Sequence, residues 1–175
     1  TNSVVKDLIL DGRKARRFAN LGVQYTDYNP GHGYVEWHNL RVVGCNNITF
    51  DGVTSNNSCH NGFDIKYDYE SGESNYSISF INCNADNAYK NGIGCNDCHG
   101  LVVDGGVYSN CGSGYGILPK ANMDFEPEST HIIEDIVISG VRSTWDLSAD
   151  LSVYGGVVIN AGSQSTNVSG CSFEN

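Results

Sequence analysis

Basic residues are scarce in this sequence. Ten Lys and Arg stand against twenty Asp and Glu, giving a net charge of -10 and a pI near 4.7. Phosphate-backbone recognition needs clustered Lys and Arg, so nucleic acid is excluded as a natural partner. The same charge repels a polyanionic glycan unless local cations offset it. No apolar run is long enough to span a bilayer, which argues against membrane insertion, and the Thr1-Asn-Ser-Val-Val-Lys6 start is not a signal peptide. Proline (3) and methionine (1) are rare and helix formers are sparse, whereas Gly supplies 21 residues and Asn is abundant. Such a composition is that of short strands joined by tight turns.

Seven cysteines, Cys45, Cys59, Cys83, Cys95, Cys98, Cys111 and Cys171, cannot all pair within one chain, and their spacing is not that of a small disulfide scaffold. They are expected to be mostly buried free thiols, made in a reducing compartment. Cys95-Asn-Asp-Cys98-His99 spells a haem-attachment pattern, and its two thiols also have zinc spacing, but Cys95 occupies an inward strand position and no second Cys pair accompanies it.

Two series of short strands repeat along the chain. The first comprises Leu8–Gly12, Ile48–Gly52, Ile78–Cys83, Leu101–Gly105, Ile136–Gly140 and Val168–Gly170, each a strand followed by a turn. The second places Val35, Phe63, Ile93, Met123 and Val157 at one inward position, at steps of 28, 30, 30 and 34 residues. Interleaved series with a shared elastic period describe a solenoid, in which each coil buries its apolar face against its neighbours. Asn56 or Asn57, Asn87 and Asn110 recur after first-series strands and either stack as an internal amide ladder or serve simply as turn residues.

The succession Tyr89-Lys-Asn-Gly-Ile-Gly94, Gly100-Leu-Val-Val-Asp-Gly-Gly-Val-Tyr-Ser-Asn110, Met123-Asp-Phe-Glu-Pro-Glu128 and Glu134-Asp-Ile-Val-Ile-Ser139 resembles the pectin-lyase-like superfamily. The resemblance covers nearly the whole chain and implies an all-β fold, a right-handed single-stranded parallel β-helix of about five coils in one domain. The chain opens inside a strand and closes on one barely finished, so a fragment of a longer protein is expected, with a phage tailspike as one source. Tailspike resemblance implies a homotrimer and a virion-surface or extracellular location, a secreted enzyme being the alternative.

Alternation in Asn122-Met-Asp-Phe-Glu-Pro-Glu128 sends Met123 and Phe125 inward and stands Asp124 and Glu126 on the outer face. With the second series aligned, that face carries two columns: Glu36, Asp64, Gly94, Asp124, Val158 and His38, Lys66, Asn96, Glu126, Asn160. Strand spacing puts the backbones of Asp64 and Asp124, two coils apart, about 9.6 Å apart, near the ~6.5–9.5 Å carboxyl separation of an inverting glycosidase. Glu36 and Asp64, one coil apart, fall nearer the ~5 Å of a retaining pair.

The catalytic candidates are therefore Asp64, Asp124, Glu126 and Lys66, with Glu36, Trp37, His38, Tyr67, Asp68 and Asn96 as substrate-binding candidates on a polysaccharide. No cofactor or metal is required. A calcium ion enters only under a lyase or epimerase reading, with Lys66 or Tyr67 as base. The aromatic segment Tyr25, Tyr28, Tyr34 and Trp37 offers a glycan-binding wall. Gly31-His32-Gly33 matches one polygalacturonase motif, but it precedes the acids and lacks the accompanying Arg-x-Lys. A non-catalytic spike or adhesin with a glycan-binding face is the alternative from another class.

Overall fold

Runs of alternating apolar and polar residues, each closed by Gly, Asn or Asp, fold as short strands. The alternation suits one buried and one solvated face, and the closing residue supplies the turn. The computed structural model describes residues 2–13, 37–112, 121–128, 131–144, 155–159, 168–169 and 172–174. Glu36, the aromatic segment from Tyr25 to Tyr34 with its Gly31-His32-Gly33 triplet, Asn160 and Cys171 lie outside the described residues.

A first coil contains β1 (Ser3–Lys6), β2 (Ile9–Asp11) and β3 (Leu40–Val43); a second, β4 (Asn46–Asp51), β5 (Thr54–Asn56) and β6 (Phe63–Lys66). The third has β7 (Tyr76–Ile81), β8 (Asn84–Asp86) and β9 (Ile93–Cys95), and the fourth β10 (Cys98–Asp104), β11 (Val107–Ser109) and β12 (Ala121–Phe125). A fifth comprises β13 (Ile133–Ser139), β14 (Arg142–Thr144) and β15 (Gly155–Ile159), after which β16 (Val168–Ser169) and β17 (Ser172–Glu174) pair on β13. Each strand pairs in parallel with its counterpart one coil away, giving three sheets: β1-β4-β7-β10-β13 with β16 and β17, β2-β5-β8-β11-β14, and β3-β6-β9-β12-β15. The chain is a parallel β-helix of about five coils.

Inward residues of the three sheets meet along the axis. Phe63, Ile93 and Met123 form one register column and Ile65, Cys95 and Phe125 another, all fully or almost fully buried. Phe80 stacks on Phe50 at 5.0 Å and packs against Phe63 at 5.1 Å, joining the first sheet to the third. Each such side chain contributes roughly 1.5–3 kcal/mol through removal from water. The six described cysteines are free thiols, five of them buried in or beside this core.

Two sequence expectations need correction. Leu8–Gly12 does not belong with Ile48–Gly52: β1 pairs with β4, and Ile9-Leu10-Asp11 pairs instead with Thr54-Ser55-Asn56 in the second sheet. Asp7, at φ 50°, takes the left-handed corner position that Gly52, Asn82, Gly105 and Gly140 take in later coils, so the turn comes one strand earlier than expected. The inward partner of Phe63 is Leu40, not Val35. Asn39 pins this corner, its amide donating to Ser55 Oγ at 3.0 Å and to the Asn56 carbonyl at 2.8 Å, so that the strand starts at Leu40.

The amide ladder exists, on the corner's surface rather than inside it. Asn57, Asn87 and Asn110 are all left-handed (φ 51°, 54° and 52°). Asn87 donates to Asn57 Oδ1 at 2.8 Å and Asn57 to Asp11 Oδ1 at 3.2 Å, while Asn110 turns to Asp86. Asn87→Ala is expected to cost about 1–2 kcal/mol in urea unfolding, from a lost hydrogen bond and a strained φ. Asn87→Gly, which relieves the strain, is expected to cost less; equal losses would mean that φ is not strained.

Candidate active site

The third sheet's outer face carries the candidate groups. Its register is Arg41–Asp64–Gly94–Asp124–Val158 across five strands, so Arg41 stands where Glu36 was expected. Val43, not His38, pairs with Lys66. His38 lies just before β3 and brings Nε2 to 3.3 Å from Asp64 Oδ2. The Lys66, Asn96, Glu126 column forms as expected: the Asn96 amide N–H donates to the Ile65 carbonyl, that of Glu126 to the Cys95 carbonyl, and the Asn96 side chain to the Glu126 carbonyl at 2.9 Å. β12 itself supplies Asp124 at the register position beside Gly94.

Asp64 is outward in register yet 2 % exposed. Arg41 Nε donates to its Oδ2 at 2.9 Å and Asn61 Nδ2 to its Oδ1 at 2.7 Å. A buried carboxylate survives only when paired and hydrogen-bonded. Asp64 meets both conditions, with His38 closing the remaining side.

Asp124 is half-buried between Gly94 and Val158. Burial, then the neighbouring charge of Glu126, push its carboxyl up to about 6, against the opposing pull of Lys90 and of a 3.2 Å hydrogen bond from Asn91 Nδ2. Two residues of strand rise separate Asp124 from Glu126, about 6.6 Å between Cα atoms. The arrangement sets a carboxyl group whose proton is held up to about pH 6 beside a second carboxyl group.

One wall of this face comes from two long turns that meet across a short one. Coil three turns tightly at Asn96-Asp97, whereas residues 67–75 extend the turn of coil two, and residues 126–128 and 131–132 belong to the turn of coil four. The Tyr67 ring stacks on His131 at 4.3 Å, and the Tyr69 hydroxyl donates to Glu128 Oε2 at 3.2 Å. Below them the buried Asp97 accepts from Asn75 N at 3.2 Å and Ile132 N at 3.4 Å, tying both turns to the tight one. Asp68 faces its own turn: its carboxylate accepts from Ser71 Oγ and from the amides of Glu70 and Ser71, which hold its pKa below the ordinary value. Trp37, 38 % exposed, receives a Ser58 hydrogen bond on its carbonyl oxygen, a contact that does not use its ring.

Comparison with protein-family models, curated proteins and solved structures finds no match to this chain. The chemistry rests on the residues themselves.

Among the described residues no three His, Cys, Asp or Glu side chains gather to hold a metal ion. Asp64 does not suit calcium, because its oxygens already face a guanidinium and an amide donor. Burial pushes the Cys98 thiol up to about 12 and that of Cys95 well above its ordinary value, opposing the thiolate form that zinc requires.

Sequence reasoning missed Arg41, Asn61, Lys90, Asn91, Glu128 and His131. Asn61-Gly62 and Asn91-Gly92 lead two strand copies in the sequence, and no local pattern shows which groups their side chains reach.

Proposed function

We propose that this β-helix, of pectin-lyase-like type, hydrolyses a polysaccharide with Asp124 as general acid and Glu126 as general base. The observation that carries this reading is the half-buried Asp124 carboxyl on β12, with Glu126 just past the strand's end. Asp124 would give its proton to the glycosidic oxygen as the C–O bond breaks. Glu126 would take a proton from the water whose oxygen bonds to the anomeric carbon. Asp64, already engaged by Arg41 and Asn61, supports the acid from below rather than reacting.

Lys66, Asn96 and the Tyr69–Glu128 wall would bind sugar hydroxyls and ring faces. The resemblance to tailspikes extends the proposal to a homotrimer on a virion surface, or to a secreted enzyme. A second reading, a glycan-binding spike module without catalysis, is favoured by the exposed Tyr69 ring at 61 %.

Incubation with a polysaccharide panel separates these readings. New reducing ends without ultraviolet absorbance support hydrolysis. Absorbance from an unsaturated uronide points to a lyase with Lys66 or Tyr67 as base, and retention with unchanged chain length selects the binding module.

A further inference from the structure

Asp64 and Asp124 stand on the same outer column with Gly94 between them, and two asparagine side chains cross that gap. Asn61 donates from Nδ2 to Asp64 Oδ1 at 2.7 Å and accepts at Oδ1 from the Asn91 backbone N–H at 3.2 Å. Asn91 then donates from Nδ2 to Asp124 Oδ2 at 3.2 Å. Both asparagines are buried, at 3 % and 1 % exposure. The crossing needs a residue without Cβ beneath it, since a side chain at Gly94 would collide with Asn61 Nδ2.

We propose that Asn61 and Asn91 are positioning residues, an amide relay that carries the fixed orientation of the buried Asp64 carboxylate across Gly94 to the carboxyl of Asp124. The direction of each bond is determined. A carboxylate accepts only, so the Asn61 amide must turn Nδ2 to Asp64 and is left with Oδ1 facing the Asn91 backbone donor. Asp64 in turn is immobilised by Arg41 and flanked by His38.

Asn91 Oδ1 is buried and has no hydrogen-bond partner among the described residues, an arrangement that costs stability in a merely structural asparagine. The charged groups facing Asp124 are Glu126 just past the end of its own strand and Lys90 at the corner before β9. The strands on either side present Gly94 and Val158, which carry no charge.

The catalytic weight of the relay rests on Asp124 being the acid of a hydrolase; the relay itself does not. The test is a carbon-detected NMR titration of the Asp124 carboxyl in the full chain, wild type against Asn91→Ala, Gly94→Ala and Asn61→Ser. Loss of the Asn91 donor is expected to move the midpoint upward by about one pH unit. The same upward direction is expected in Gly94→Ala and Asn61→Ser, although neither side chain touches Asp124. Folded variants at 61 and 94 that titrate like wild type would overturn the relay.

Should those variants not fold, the wild-type Asn61 side-chain amide resonances decide. They inflect at the Asp124 midpoint if the relay holds, and their indifference overturns it. A wild-type chain that titrates as expected but releases no reducing ends from any polysaccharide keeps the relay and removes the catalytic reading. Cleavage combined with an indifferent Asn61 amide does the reverse.

Discussion

Asp124→Asn is expected to lower polysaccharide cleavage by about 10²–10⁴-fold while making the protein more stable at neutral pH. The two effects share one cause. In the folded chain the carboxyl is pushed from 3.8 up to about 6, first by burial and then by Glu126. An acid whose folded pKa is raised binds its proton more tightly folded than unfolded, so stability falls as pH rises from about 3.8 to about 6 and stays low above. At one pH unit per ~1.4 kcal/mol, the penalty at neutral pH is roughly 2–3 kcal/mol. The isosteric amide can still accept from Asn91 Nδ2 but carries no charge to bury. Thermal melts should show the variant ahead at pH 7 and the two proteins converging near pH 4. Loss of activity with loss of stability would instead mark Asp124 as a structural carboxylate.

Gly106→Ala is expected to be the most damaging single-methyl change, costing at least about 4 kcal/mol. Gly106 has φ 89° and lies so close to the coil below that a Cβ would be driven into the Cys83 carbonyl oxygen. Its own carbonyl also accepts the Arg142 N–H at 3.0 Å from the coil above. No side chain can yield there, because the colliding atoms are backbone of a neighbouring coil. The control is Gly72→Ala, with a similar φ of 78° but the Tyr67 hydroxyl at 3.6 Å as its nearest neighbour. It should lose only the ~1–2 kcal/mol of a left-handed alanine. Comparable losses at both sites, measured by denaturant unfolding, would mean that coil spacing at Gly106 is not under steric control.

The repeat was legible because coils advertise themselves locally: an inward apolar residue recurs, and a left-handed corner needs Gly, Asn or Asp. Phe63, Ile93, Met123 and Val157 fell into register on those grounds alone. The alignment failed where a long insertion precedes β3, since Val35-Glu-Trp-His alternates as convincingly as Leu40-Arg-Val-Val. What decides is Asn39 on Ser55 and Asn56, a contact between separate strands that no local pattern displays.

The same limit applied to the site. Asp124 and Glu126 could be placed from strand alternation, but the burial of Asp64 depends on Arg41 and on residues arriving from other turns. Asn61 and Asn91 had the sequence of ordinary turn formers, and their reach across Gly94 follows from register. Asp68 is the opposite case: its hydrogen bonds to Ser71 and the Glu70 amide are short-range, a local turn pattern.

The most direct measurement is kcat/KM against pH on a polysaccharide that the chain cleaves. Proton donation by Asp124 predicts a rate that falls above about pH 6, as the Asp124 carboxyl loses its proton. A rate level through pH 6, or one that rises there, would contradict the assignment of Asp124 as the acid.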